Sequence, residues 1–359
     1  MVIRVVKKMR YKIIDLFAGA GGLSLGFEQT NKCEIVVAFE KNKNAKKTYI
    51  ENHPHVAVFG DICEADFQEI RNKYGRINIV VGGPPCQGFS NANRQKNHTI
   101  NQNNMLVKEY IRAVTEIDPD CFLLENVSML KSDVHRFFVS DGDNEMISHY
   151  NIPIKQSSIC LLEEKFSFNS AIRCVKDKEM ISSSLWPMAQ YRVLNTINRF
   201  SNNDDKMKYA LSRHKSEIQA IICKDCRRRD YIGRVEKVAM NSLKDYYGGI
   251  GSLDTIKRTL KPAIKIQRML CLVKELNDNK IVIKRYINKH GLYAVVDSYS
   301  VIDYIKKTLS SNDAGYTIES GVLCAADYGV PQKRKRFIMI GVKGKKVLNS
   351  FFPEKILNE

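Results

Sequence analysis

The sequence predicts an α/β protein, a mostly parallel sheet with helices on both faces that carries a large, mainly helical insertion. Three observations lead there. Up to about residue 130, short β-branched runs alternate with amphipathic stretches, the rhythm of a parallel sheet covered by helices. Over residues 131–298 that rhythm stops and the chain turns polar, rich in Lys, Arg, Asn and Ser. From residue 299 it resumes and ends in an apolar run at 337–342.

Taken in order, strands are expected at 12–17, 34–39, 55–59, 77–81 and 121–125, with helices between them at 22–29, 44–51, 64–73 and 105–117. Within the insertion, helical periods stand out at 185–200 and 256–276. A helix at 301–309, a turn at Gly315, a strand near 322–326 and another at 337–342 complete the pattern. The simplest organisation is one catalytic α/β domain in two parts, 1–130 and 299–346, with a basic insertion at 131–298 and a short tail at 347–359. A folded insert is well tolerated in a surface loop.

Charge narrows the choice of partner. The chain has 359 residues and sets 57 Lys and Arg against 39 Asp and Glu, a formal net charge of +18. A folded protein this basic most simply meets a polyanion. Ten cysteines follow no regular framework and the N-terminus lacks the apolar core of a secretory signal, so reduced thiols in a soluble, cytoplasmic chain are expected. No apolar run approaches the roughly 18 residues of a membrane span. Cys223 and Cys226 have a metal-ligand spacing, but no second such pair accompanies them, so no metal is expected.

Four clusters fall at strand ends. Asp15-Leu16-Phe17-Ala18-Gly19-Ala20-Gly21-Gly22 runs from a strand through a Gly-rich turn into a helix. Such a turn lets the backbone approach a ligand closely, although a plain tight turn also fits. Glu40 ends the second strand, where a carboxylate can take the hydroxyls of a ribose, and Asp61 follows the third, where it could accept from an adenine amino group. The glycine spacing departs from G-x-G-x-x-G, which argues against NAD.

The second cluster, Val80 to Ser90, reads V-V-G-G-P-P-C-Q-G-F-S and presents Cys86 just past a buried strand. The Pro pair stiffens the approach, so the thiol is held for attack; taken alone, it also fits a buried cysteine after a turn. The third, Glu125-Asn126-Val127, puts a carboxylate at the end of the fifth strand, facing the same crevice as Cys86 or capping a loop. The fourth, Y-G-V-P-Q-K-R-K-R at 328–336, leads into the last apolar strand. Alternation places Gln332, Arg334 and Arg336 on one side, and arginines entering a buried strand need partners.

In this order the four clusters resemble the cytosine-5 DNA methyltransferases, over about residues 11–130 and 299–342. The resemblance implies a Rossmann-like S-adenosylmethionine-dependent methyltransferase sheet. It implies that Cys86 is the nucleophile, that Glu125 and Arg336 grip the target base and that Arg334 supports them. Phe17, Gly19, Ala20, Gly22, Glu40, Asp61, Ile62, Pro85 and Leu106 match positions around S-adenosylmethionine. The substrate implied is a cytosine flipped out of duplex DNA, in the setting of a restriction-modification system.

Two departures from the family stand out. After the 337–342 strand the family continues into a target-recognition region and further conserved segments, whereas this sequence stops at Glu359. The expectation is therefore the larger part of a split enzyme, completed by a second polypeptide, with truncation of a longer gene as the competing explanation. The insertion is also far longer than the family's usual connection. With about 30 Lys and Arg against about 19 acidic residues, it could touch DNA or serve as a solvated spacer. Two other functions stay open, methylation of a structured RNA cytosine and a catalytically idle DNA-binding subunit.

Overall fold

A computed structural model describes residues 10–85, 102–131, 135–223, 229–344 and 350–356. The first half alternates as the apolar runs require: β1 (Tyr11–Leu16), α1 (Gly22–Glu28), β2 (Cys33–Phe39), α2 (Lys43–Asn52), β3 (Ala57–Phe59), α3 (Phe67–Tyr74), β4 (Ile79–Gly82), α4 (Gln102–Ile117) and β5 (Cys121–Val127). Helix starts follow local chemistry. The Asn42 side chain accepts from the Asn44 and Ala45 N–H groups and caps α2, and Asp66 accepts from Glu69 N–H to cap α3.

Alternation along the strands feeds two cores. Ile14, Leu16, Val80, Phe122 and Leu124 face α4, whose Val107, Tyr110, Ile111 and Val114 are buried against them. Ile13, Ile35, Ala38 and Val81 face the other way, toward Tyr49 of α2 and the partly buried Leu23 and Phe27 of α1. Helices therefore cover both faces, and the strands can be apolar on both sides.

The insertion follows. It comprises β6 (Arg136–Phe138), α5 (Asn144–His149), β7 (Ile154–Leu162), α6 (Ala171–Lys176), α7 (Lys178–Ser184), α8 (Met188–Arg199), α9 (Asp204–Arg213), α10 (Lys215–Ile222), α11 (Tyr231–Tyr247), α12 (Leu253–Asp278), β8 (Ile283–Asn288) and β9 (Leu292–Ser300). Helices dominate, but β9 pairs antiparallel with β6, β7 and β8 in a four-stranded sheet that the sequence pattern did not reveal. The long α12 joins two cores. Its Ile256, Leu260 and Ile264 pack with Leu194, Ile197 and Leu243 in a helical bundle, and its Met269, Leu270 and Val273 pack on the small sheet. Phe137 and Tyr299 at the insertion's root belong to the core of the main domain.

The chain then closes the main sheet with α13 (Val301–Leu309), β10 (Tyr316–Cys324) and β11 (Lys335–Lys343). Among the described residues the main sheet has seven strands in the order β10-β11-β5-β4-β1-β2-β3. Neighbours among β1 to β5 are parallel, whereas β11 runs antiparallel between β5 and β10. Glycine is obligatory at 341, because a Cβ there would lie 2.0 Å from the Phe122 ring.

Two expectations need correction. The strand placed near 322–326 starts at Tyr316, directly after the turn at Gly315, because β10 pairs with β11 along its whole length from Tyr316↔Lys343 to Cys324↔Lys335. Gln332 and Arg334 do not share a strand face with Arg336. They lie in the exposed turn before β11, where the Gln332 carbonyl accepts from Arg334 N–H and the Arg334 carbonyl accepts from Ala325 N–H.

Candidate active site

Strand order reverses between β1 and β4, and a crevice opens outside the carboxyl ends of the parallel strands. A cavity of about 450 Å³ lies there, lined by residues that follow β1, β2, β3 and β4, and by Leu106 of α4. Phe17 leaves β1 with φ +59°, a left-handed conformation uncommon for a side chain this large, and its ring forms one wall. Phe39 and Ile62 add apolar surface.

Two carboxylates edge the cavity. Glu40 is fixed by backbone donors on both oxygens, Gly19 N–H to Oε2 at 2.8 Å and Asn42 N–H to Oε1 at 2.6 Å. Asp61 accepts from Lys41 Nζ at 2.5 Å and from Cys63 N–H at 3.1 Å. The Lys41 bond holds the Asp61 carboxyl below the ordinary carboxylate range. Each of these oxygens retains acceptor capacity for a ligand.

Behind the turn sits a third carboxylate of a different kind. Asp15 is 1% exposed, and burial pushes it up to about 7 although the Ser24 hydroxyl donates to its Oδ2 at 2.5 Å. Ser24 Oγ also lies 2.7 Å from Tyr49 Oη.

The second half of the site stands on β5 and β11. Glu125 Oε1 and Arg336 Nε are 2.6 Å apart and both side chains are about one-third exposed, so the pair can open toward a ligand. Next to it, the buried Asn126 donates from Nδ2 to the Pro84 carbonyl at 3.0 Å, which ties the Gly-Pro-Pro turn to β5. Gly83 joins the two halves. It lines the cavity, and a Cβ on it would approach Glu125 Oε2 to 3.0 Å. Gly82 is more tightly restricted, since its Cβ would lie 2.6 Å from the Leu16 carbonyl oxygen.

The structure thus brings Phe17, Glu40, Asp61, Ile62, Pro85 and Leu106 around one cavity. Gly19, Ala20 and Gly22 are not among its lining residues; Gly19 connects to it through Glu40. Glu125 and Arg336 touch each other, whereas Arg334 is exposed and outside that contact. Cys86 lies outside the described residues, one position beyond Pro85. Lys41, Asn42, Phe39 and Gly60 line the cavity without having been singled out from the sequence, and Gly83 lines it from within the second cluster. For Lys41 and Asn42 a signal existed: they follow Glu40 directly, and Asn42 is a cap residue just before the helical run of α2.

A model of the C-5 cytosine-specific DNA methylase family matches residues 11–148 and 293–358, on both sides of the insertion and into each of its ends. The type II methyltransferase M1.ScrFI of Lactococcus lactis subsp. cremoris is 42% identical over 249 residues, 59% of this chain and 60% of that protein. The type II methyltransferase M.FnuDI of Fusobacterium nucleatum is 39% identical over 146 residues, 40% of each. The chain therefore covers 60% or less of the length of these relatives. A solved Spodoptera frugiperda DNMT2 variant aligns with 42% of this chain and 44% of that one, at 23% identity and a TM-score of 0.28. The fold assignment rests on the strand order instead.

Proposed function

The chain belongs to the C-5 cytosine-specific DNA methylase family, and on that premise we propose that it transfers a methyl group from S-adenosylmethionine to carbon 5 of a cytosine flipped out of duplex DNA, in a restriction-modification setting. The observation that carries this reading is the shared position of Gly83, which borders both the cavity and the Glu125–Arg336 pair. A donor in the cavity and a base held by that pair would be neighbours.

The cavity fits the donor. Its volume lies within the roughly 300–1,000 Å³ of small-molecule sites. Glu40 offers acceptors for two ribose hydroxyls, Asp61 an acceptor for the adenine amino group, and Phe17 and Ile62 apolar walls for a flat ring. When bound, S-adenosylmethionine supplies an electrophilic methyl group.

The remaining chemistry falls to the chain's own residues. Carbon 5 of cytosine is too poor a nucleophile to act unaided, so the Cys86 thiolate adds to carbon 6 and pushes the electron pair of the 5,6 bond onto carbon 5. Glu125 meets N3 and the exocyclic amine and steadies the ring as charge builds, and Arg336 donates to O2. After methylation, removal of the carbon 5 proton returns an electron pair to the 5,6 bond and expels the Cys86 thiolate.

A flipped base also demands grip on the phosphates around it, and the net charge of +18 supports a polyanionic substrate. The test is incorporation of labelled methyl into duplex DNA and into transfer RNA by the chain, with and without the product of the neighbouring gene. Preference for duplex DNA is expected. DNA carrying 5-fluorocytosine should trap a covalent adduct that Cys86→Ser abolishes, and methylation undiminished by that substitution would overturn the mechanism. Incorporation only into transfer RNA would favour the RNA reading, and binding without an adduct the idle subunit.

A further inference from the structure

The Gly-rich turn after β1 is gripped from behind by the end of α2. Asn52 Nδ2 donates to the Ala20 carbonyl at 3.1 Å. The His53 ring, 1% exposed, places Nε2 3.2 Å from the next carbonyl oxygen, that of Gly21. Its Nδ1 is 2.8 Å from Glu28 Oε2 at the end of α1, and the other oxygen of Glu28 is 2.8 Å from His55 Nε2. A carbonyl and a carboxylate only accept, so the ring is the donor wherever it hydrogen-bonds them. Tyr49 packs on the same ring at a centroid distance of 4.6 Å. The fit leaves no slack: Gly21 has φ +92°, and a Cβ there would lie 2.3 Å from His53 Nε2.

The front of the same turn meets the cavity through Glu40. Because a peptide is planar, holding the Ala20 carbonyl orients the Gly21 N–H, which donates to the Ala18 carbonyl at 3.0 Å, and that carbonyl shares its peptide plane with the Gly19 N–H. Gly19 N–H is the donor that holds Glu40 Oε2. We propose that His53, seconded by Asn52, is a positioning residue for the donor: by tying the Gly21 and Ala20 carbonyls to α1 and α2 it holds the turn in the conformation that sets Glu40 toward the ribose hydroxyls. This inference rests on the cofactor reading given above.

The test is calorimetric titration of S-adenosylhomocysteine into the full chain, unsubstituted and as His53→Phe, His53→Gln and Asn52→Ala. Phe keeps the packing on Tyr49 but makes neither hydrogen bond, whereas Gln restores a donor toward Gly21. A net hydrogen bond of about 0.5–1.5 kcal/mol corresponds to about 2–10-fold in affinity. His53→Phe should therefore weaken binding about tenfold, Asn52→Ala about threefold, and His53→Gln should stay within about threefold of the unsubstituted chain. In turnover, KM for S-adenosylmethionine should rise while kcat at saturation and KM for DNA stay within about twofold. Unchanged affinity in His53→Phe, or equal losses in Phe and Gln, overturns the inference. Should His53→Phe fail to fold, the exposed Asn52 carries the same test, and unchanged affinity in Asn52→Ala overturns the inference in its place. No binding by the unsubstituted chain would instead remove the cofactor reading itself.

Discussion

Asp15 shows how a single residue at this site runs against the ordinary behaviour of carboxylates. Burial raises it to about 7, so the folded protein holds the proton across an interval in which the unfolded chain, with an Asp near 3.9, has lost it. Its contribution is therefore most favourable below about pH 4 and is progressively lost as pH rises to about 7, on the order of 4 kcal/mol in all. Asp15→Asn removes the proton exchange while keeping an acceptor for Ser24. Chemical denaturation at pH 5 and pH 8 should show the variant gaining stability relative to the parent as pH rises. A difference that stays constant between the two would place Asp15 outside this linkage. The residue was legible in the sequence only as the start of the Gly-rich cluster. Its burial depends on Ser24 and Tyr49, which come from two different helices and which no local pattern connects to it.

At the scale of elements, α4 carries more of the site than its one lining residue implies. Arg112 stacks its guanidinium 4.8 Å over Phe67 and donates to the carbonyls of Ile62 at 2.9 Å and Ala65 at 3.3 Å, with Glu109 2.7 Å from Nη2. It thus fixes the loop that presents Asp61 and Ile62. Arg112→Ala should weaken donor binding and lower the melting temperature together, and Arg112→Lys should restore little, because an ammonium cannot reproduce the planar fork that reaches two carbonyls and a carboxylate. Full recovery by lysine, read by titration calorimetry, would contradict this account. None of it was legible beforehand: the sequence located α4 from its apolar period but could not say what its polar face met. Main-sheet strands such as β2 and β5 were legible because their apolar runs are continuous. The inserted strands were not, since Ser157 and Ser158 interrupt β7 and Lys284 and Arg285 interrupt β8. Only long-range pairing to β9 identifies them.

For the whole molecule, the relation between the sheet domain and the basic insertion decides how the charge is used. The insertion is rooted in the main core through Phe137 and Tyr299, and Lys108 of α4 pairs with its Asp143 at 2.8 Å. Its outer bundle instead has a core of its own and exposes Arg192, Arg199, Lys208 and Lys215. Exposed cations on a bundle with its own core can bind phosphates directly, and none of these four lines the cofactor cavity. Replacing these four residues by glutamine should therefore leave S-adenosylhomocysteine affinity unchanged. DNA binding should weaken, and the slope of log K against log salt should become shallower by about 0.9 for each phosphate that is no longer neutralised. Filter binding between low and physiological salt reads that slope directly. An unchanged slope would mean that the bundle stands clear of the duplex and that the sheet domain holds the phosphates by itself.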